Sequence, residues 1–173
     1  MTIPLFPDGS EEDSTSLTHF IETRFHASHR SQFPELLCLA QKVERVHGSD
    51  AHVPAGLAEL LEGMARDLEA HMKKEEAVLF PAIRKDGMSG LEHPIAVMRA
   101  DHADHDGDIA AIRKLTSNLS LPQGACRSWT ALYEGLGEFI ADLEQHIRLE
   151  NEVLFPRFEK AHQGCDCACQ GHD

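Results

Sequence analysis

The chain has 173 residues and a formal charge of −13, from 16 Lys and Arg against 29 Asp and Glu, and is sized for one domain with a core of its own. A hydrophobic fraction of 42% excludes a mostly disordered chain, and no run approaches the ~18 apolar residues of a membrane span. So acidic a surface repels phosphate backbones, which excludes nucleic acid as a partner.

Residues 1–16 hold prolines, a glycine and an acidic, Ser-rich patch, and read as a flexible lead-in without the basic start and apolar stretch of a secretory signal. A first helix is predicted from Leu17 to His47, ended by Gly48-Ser-Asp. A second follows Pro54 and runs to Arg84, stopped by Asp86-Gly87. A third begins near Pro94, a favoured early-helix position, and fades near Asn118. Pro122-Gln-Gly breaks the chain, and a fourth helix runs from Ala125 to His162. Strand signals are absent, because β-branched residues are sparse and nowhere alternate with polar ones. The expected fold is all-α: an up-down-up-down four-helix bundle over residues 17–162, followed by a Cys/His-rich tail, 163–173.

Each helix carries an inward stripe at three- and four-residue steps. The first reads Glu22, His26, His29 or Arg30, Phe33, Leu37, Ala40, Val43; the second Leu57, Leu61, Met64, Leu68, His71, Glu75, Leu79. The third reads Ile95, Met98, His102, Asp106, Ile109, Ile112; the fourth Trp129, Leu132, Leu136, Phe139, Leu143, His146, Glu150, Leu154. Every stripe is interrupted by polar residues where Leu would otherwise sit. His71-Met-Lys-Lys-Glu75 and His146-Ile-Arg-Leu-Glu150 place a histidine and a glutamate one helical turn apart, on one face. Both motifs end in Val-Leu-Phe-Pro, 75 residues apart, and His26 and His102 are 76 apart, so the bundle reads as a duplicated helix pair. In alternating packing these six residues meet at one level. His47 lies ~30 Å further along the first helix and cannot join them.

Four imidazoles and two carboxylates in a core are costly without a counter-charge. Such a donor set suits iron, manganese or zinc, and two glutamates from opposite helices can bridge two metals with two histidines on each. A two-iron centre with open positions for a small diatomic, NO or O₂, is the favoured reading. Glu22, His29, Asp67, Asp101, His105 and Asp106 are candidates to orient the ligating imidazoles, with a solvated face or a salt bridge the competing role. Phe80, Pro81, Phe155 and Pro156 are expected to close the bundle over the site, with plain core packing at a helix kink the competing role. Trp129 and Tyr133 are expected in the core, as are Cys38 and Cys126. Cys165, Cys167 and Cys169 lie in the tail at a spacing unlike a structural zinc site; they are read as a metal-binding or an oxidisable tract. Five cysteines with no paired framework point to a reducing cytoplasm.

The stretches Arg24-Phe-His-Ala-Ser-His-Arg30, Lys42-Val-Glu-Arg-Val-His47, His71-Met-Lys-Lys-Glu-Glu-Ala-Val-Leu-Phe-Pro81, Pro94-Ile-Ala-Val-Met-Arg-Ala-Asp-His102 and His146-Ile-Arg-Leu-Glu-Asn-Glu-Val-Leu-Phe-Pro156 resemble hemerythrin-like (HHE cation-binding) domains. The resemblance is specifically to the repair-of-iron-centres (RIC) family and covers about residues 17–158. It implies a non-haem centre of two iron ions, oxo- and carboxylate-bridged, on His26, His71, Glu75, His102, His146 and Glu150. It also implies a stress-response role in which the centre binds NO, or reduces it to N₂O, or supplies iron for damaged iron–sulfur proteins. An O₂-binding, sensing or iron-storing module without catalysis is the alternative. Oxygen carriers of the wider family place a second histidine one turn after the third-helix ligand, where this chain has Asp106, which argues against simple O₂ carriage. Longer RIC proteins add an N-terminal domain with a cysteine pair. No counterpart is read here, so roles that need that domain are not expected.

Overall fold

A computed structural model describes residues 13–85 and 90–159 of the chain. The lead-in up to residue 12, the Asp86-Gly87 stop, the last turn of the fourth predicted helix and the Cys/His tail lie outside these residues. Among the described residues there are four helical rods and no strand: α1 (14–46), α2 (57–84), α3 (92–115) and α4 (127–159). Short connections make sequence neighbours antiparallel; α1 packs against α2 and α4, and α2 against α3. Among the described residues no helix is long and apolar enough to cross a membrane.

The predicted ends agree with the rods to within a few residues. α1 starts three residues before Leu17 because Asp13 caps it, its Oδ1 accepting the Ser16 backbone N–H at 3.0 Å. Gly56 precedes α2 at φ +87°, a left-handed conformation that glycine adopts without strain.

Three rods contain a widened, π-helical turn: Ile21–His26 in α1, Glu75–Leu79 in α2 and Glu150–Leu154 in α4. In α2 and α4 the turn ends just before Phe80-Pro81 and Phe155-Pro156. Each Phe N–H reaches back five residues to the carbonyl of Glu75 or Glu150. A proline has no N–H and crowds the carbonyl four residues earlier, and the extra residue relieves that conflict inside a continuous rod. In α1 the same insertion changes the inward face. Stepping back four from His26 lands on Glu22, but across the widened turn the buried residue is Ile21, and Glu22 instead pairs with Arg84. Two further stripe assignments shift by one position: Leu36 rather than Leu37 is buried, and His105 rather than the exposed Asp106. Arg30 is exposed and ion-paired with Glu69 and Glu76.

The apolar core is divided. One cluster runs from Phe33 and Leu36 through Leu61, Leu68, Ile112 and Trp129 to Leu143; the other holds Leu17, Ile21, Leu79, Phe80, Ile95, Leu154 and Phe155. Buried histidines and glutamates occupy the layer between them. Trp129 and Tyr133 are core residues in edge contact, as expected, and His47 packs on Trp129 away from the polar layer. The two cysteines expected in the core are not there. Cys38 lies on the solvent face of α1, and Cys126 is half-exposed at the start of α4, its Sγ 3.1 Å from His47 Nε2. At Gly135 an added Cβ would lie 3.0 Å from Leu36 Cδ2, so glycine is what lets α1 and α4 approach there.

Leu61 is fully buried in the larger cluster, away from the polar layer. Leu61→Ala should cost about 2–5 kcal/mol in urea unfolding while metal content per chain stays at the wild-type value. A loss of metal in this variant would show that the two halves of the core are not independent.

Candidate metal centre

The structure brings all six predicted residues together in the polar layer, each between 0% and 1% exposed. They fall into two groups whose donor atoms lie within 4.8 Å of one another: His26, His146, Glu75, Glu150 and His71, His102, Glu75, Glu150. Both glutamates belong to both groups. Glu75 Oε2 faces His26 Nε2 at 3.2 Å and its Oε1 faces His71 Nε2 at 3.4 Å. Glu150 mirrors this, with Oε1 3.2 Å from His146 Nε2 and Oε2 3.0 Å from His102 Nε2. Each carboxylate therefore spans the two half-sites, one oxygen to each.

The outer nitrogens fix the tautomers. His26 Nδ1 donates to Glu76 Oε1 at 2.7 Å, and His71 Nδ1 faces Asp101 Oδ2 at 3.3 Å. His102 Nδ1 lies 2.9 Å from Asn151 Oδ1, an oxygen that also accepts from Arg99, so the imidazole must donate there. His146 Nδ1 faces His29 Nε2 at 3.3 Å. With Nδ1 of His26, His71 and His102 donating outward to an oxygen, the Nε2 of each keeps its lone pair for the interior, the arrangement a ligating histidine needs. All four Nε2 atoms and all four carboxylate oxygens are buried without a hydrogen-bond partner. Buried polar atoms are paired as a rule, so eight unpaired donors pointing at one another fit a metal pair and nothing apolar.

Aromatic rings seal the layer. Phe80 stacks on His26, Phe155 on His102 and Phe25 on His146, with centroids 5.9, 5.8 and 5.3 Å apart. This is the closing role expected of Phe80 and Phe155; Pro81 and Pro156 stand beside them, half-buried. Of the candidate orienting residues, Asp101 and His29 take that role. Glu22 and Asp106 do not, and Asp67 lies exposed at the rim of a neighbouring cavity. His105 is buried against the His71 ring, at 5.5 Å, without a hydrogen bond to any of the six. Glu76 and Asn151 escaped the sequence reading. The signal was present: each directly follows the repeated glutamate, on the widened turn that lets consecutive residues reach opposite nitrogens.

Electrostatics agree with the geometry. Burial, aided by neighbouring imidazoles, depresses His26, and burial brings His71 and His29 down to about 3. Burial and the facing Glu150 hold the Glu75 carboxyl well above the usual carboxylate range. Burial also disfavours the Glu150 anion, but His146 and His102 outweigh it and hold Glu150 low. Without cations, the carboxylate pair cannot carry both charges.

The model of the hemerythrin HHE cation binding domain matches residues 20–158. The chain belongs to that family. Family membership accords with a His/Glu cluster able to hold metal ions and with the helical bundle. The chain is also similar to the iron-sulfur cluster repair protein YtfE of Yersinia pseudotuberculosis serotype IB (strain PB1/+), 46% identical over 150 residues. That alignment covers 87% of this chain and 68% of the relative. The YtfE proteins of Yersinia pestis strains Pestoides F and Angola match to the same extent.

Two predictions come from the centre. Above pH ~6.5 His26, His29 and His71 are neutral in the folded and unfolded chain alike, whereas below it only the unfolded chain takes up protons. Their depressed folded values therefore make stability fall as pH falls. Glu75, whose carboxyl is raised by burial and by Glu150, works in the opposite sense and offsets part of this. Metal-free protein should lose roughly 2–4 kcal/mol between pH 7.5 and 5 in urea titrations; equal stability at both values would contradict the burial argument. Separately, Glu75→Leu or Glu150→Leu removes a carboxylate from both half-sites while suiting the apolar stripe. Each variant should stay helical and hold less metal, and in metal-free form unfold at a higher temperature than metal-free wild type. Unchanged metal content would remove that glutamate from the ligand set.

Proposed function

We propose that the chain is a non-haem two-iron protein that serves the repair of damaged iron–sulfur centres under nitrosative and oxidative stress, in the cytoplasm. The observation that carries this reading is the set of eight buried donors without partners, divided into two groups that share both glutamates. In the proposed centre His26 and His146 would hold one iron, His71 and His102 the other, and Glu75 and Glu150, which belong to both donor groups, would be shared between them. Nitrogen and oxygen donors without thiolate suit iron, and similarity to proteins named for iron–sulfur cluster repair favours it over zinc or manganese.

When bound, a ferrous pair supplies two electrons, the number needed to convert two NO and two protons to N₂O and water. The chain's own residues prepare for this. Glu76, Asp101 and Asn151 keep the Nε2 atoms of His26, His71 and His102 unprotonated and aimed inward, and His29 holds the ring of His146 in place. Phe25, Phe80 and Phe155 exclude water and leave an apolar surround that admits a small neutral diatomic. Burial and the facing Glu150 favour the protonated form of Glu75, so a bound cation would favour release of that proton. The third-helix histidine of an oxygen carrier has no equivalent at Asp106, and His105 stands outside both donor groups, so O₂ carriage is not favoured.

Iron-loaded, reduced protein mixed anaerobically with NO should yield about one N₂O per chain, the product of one two-electron centre, measured by gas chromatography. In a parallel mixture, an NO-damaged iron–sulfur enzyme should recover activity with loss of iron from this protein. The absence of both N₂O and reactivation, in protein that holds two irons, would refute the proposal.

A further inference from the structure

The four inward imidazoles are backed in two ways. Glu76, Asp101 and Asn151 offer His26, His71 and His102 an oxygen, which can only accept. His146 is backed by another imidazole, its Nδ1 lying 3.3 Å from His29 Nε2. Either ring can be the donor in that pair, and the choice decides whether His146 can bind a metal. If His29 donates, the His146 proton sits on Nε2, and that nitrogen has no lone pair to offer. His105, the duplicated counterpart of His29, has no hydrogen-bond partner at either nitrogen, so this second imidazole serves one half-site alone.

What sets the direction lies further out. Arg24 donates to Asp142 Oδ1 at 2.6 Å, and Gln32 Nε2 donates to Asp142 Oδ2 at 3.0 Å, so Asp142 ties α4 to α1. Because a carboxylate only accepts, the Gln32 amide must turn its nitrogen to Asp142 and its carbonyl the other way. That carbonyl oxygen and His29 Nδ1, one turn back on α1, are both buried and have no other partner. Burial and then His146 disfavour the His29 cation, and hydrogen bonding with Gln32 is the first influence to oppose them. Since His146 occupies the Nε2 edge of His29, the Gln32 carbonyl belongs at the Nδ1 edge.

We propose that Gln32 and Asp142 are positioning residues of the His26/His146 half-site, the outer links of a hydrogen-bond chain that can run in one direction only. Asp142 accepts from Gln32, Gln32 accepts from His29 Nδ1, and His29 Nε2 accepts from His146 Nδ1. His146 Nε2 is then left bare for a metal. The inference rests on the reading of His146 as a ligand of the two-iron centre, and adds two residues, both outside the donor groups, that decide its tautomer.

Asp142→Asn tests the direction with a change of one atom. Arg24 would keep the remaining side-chain oxygen, so the new amide nitrogen would face Gln32 and turn that amide over. His29 Nδ1 would then accept, and its Nε2 would donate to His146, which imposes the wrong tautomer on an unchanged geometry. Nitrogen-15 NMR of the metal-free full chain at pH 7.5 reads which ring nitrogen is protonated. Wild type should carry the His29 proton on Nδ1 and Asp142→Asn on Nε2, while Gln32→Leu, which cuts the chain, should show both forms. Ferrous iron is then added anaerobically and bound iron counted per chain. Wild type should hold two irons, and Asp142→Asn should bind the second at least ten-fold more weakly. A His29 proton on Nε2 in wild type, or on the same nitrogen in wild type and Asp142→Asn, would overturn this inference alone. So would a reversed His29 with unchanged iron affinity. Fewer than two irons in wild type would overturn the two-iron centre, and with it the part assigned to Gln32 and Asp142.

Discussion

Two carboxylates that no water reaches and no hydrogen bond satisfies set the terms for the rest of this bundle. Glu75 and Glu150 face each other across the layer between the two apolar clusters, each with both oxygens unpaired. Burying one such anion costs several kcal/mol, and two at close range repel. Four imidazoles bring donor nitrogens to the same oxygens, a grouping that becomes favourable when cations neutralise the carboxylates. The divided core, the aromatic rings stacked on the imidazoles and the depressed histidines are consequences of holding that layer in place.

The supporting residues do more than fill space. Asn151 accepts from Arg99, which obliges His102 to donate through Nδ1; Glu76 and Asp101 impose the same tautomer through charge. Arg30 ties Glu76 to Glu69, and Lys74 ties Asp101, so each orienting carboxylate is itself held at the surface. The centre is rigid because its imidazoles are fixed from outside, not because the donors bond to one another. Duplication explains the near-symmetry of the two half-sites. Departures from symmetry, above all His29 against His105, are where the chain gives one half a different surround from the other.

Much of the fold was legible because its signals are long-range and redundant: proline and glycine breaks between helices, stripes over about five to seven turns, and a repeated His-x-x-x-Glu ending in Leu-Phe-Pro. The six candidate ligands could be read for the same reason, since a histidine and a His-x-x-x-Glu repeated at offsets of 76 and 75 residues interrupt the stripes at one height. What escaped lies within single turns. Regular stepping assumes a fixed number of residues per turn, and the widened turn before His26 exchanges Glu22 for Ile21. His105 displaced Asp106 because steps of three and four are equally compatible with one stripe. Glu76 and Asn151 were missed because neighbours of a buried residue normally point away, a rule that the widened turns at Glu75 and Glu150 relax. Cys38 and Cys126 were placed in the core by residue type alone, whereas helix phase and a helix start put them at the surface.

Membership of the hemerythrin HHE cation binding domain family and the arrangement of donors lead to the same expectation by separate routes: one from sequence similarity, the other from atoms that lack partners. Mössbauer spectroscopy of protein loaded with iron-57, with iron counted per chain, tests that expectation most directly. The account predicts two irons per chain in similar nitrogen- and oxygen-rich environments, magnetically coupled through shared bridges. A single uncoupled iron, or iron that dialysis removes without changing the spectrum of the protein that remains, would contradict it.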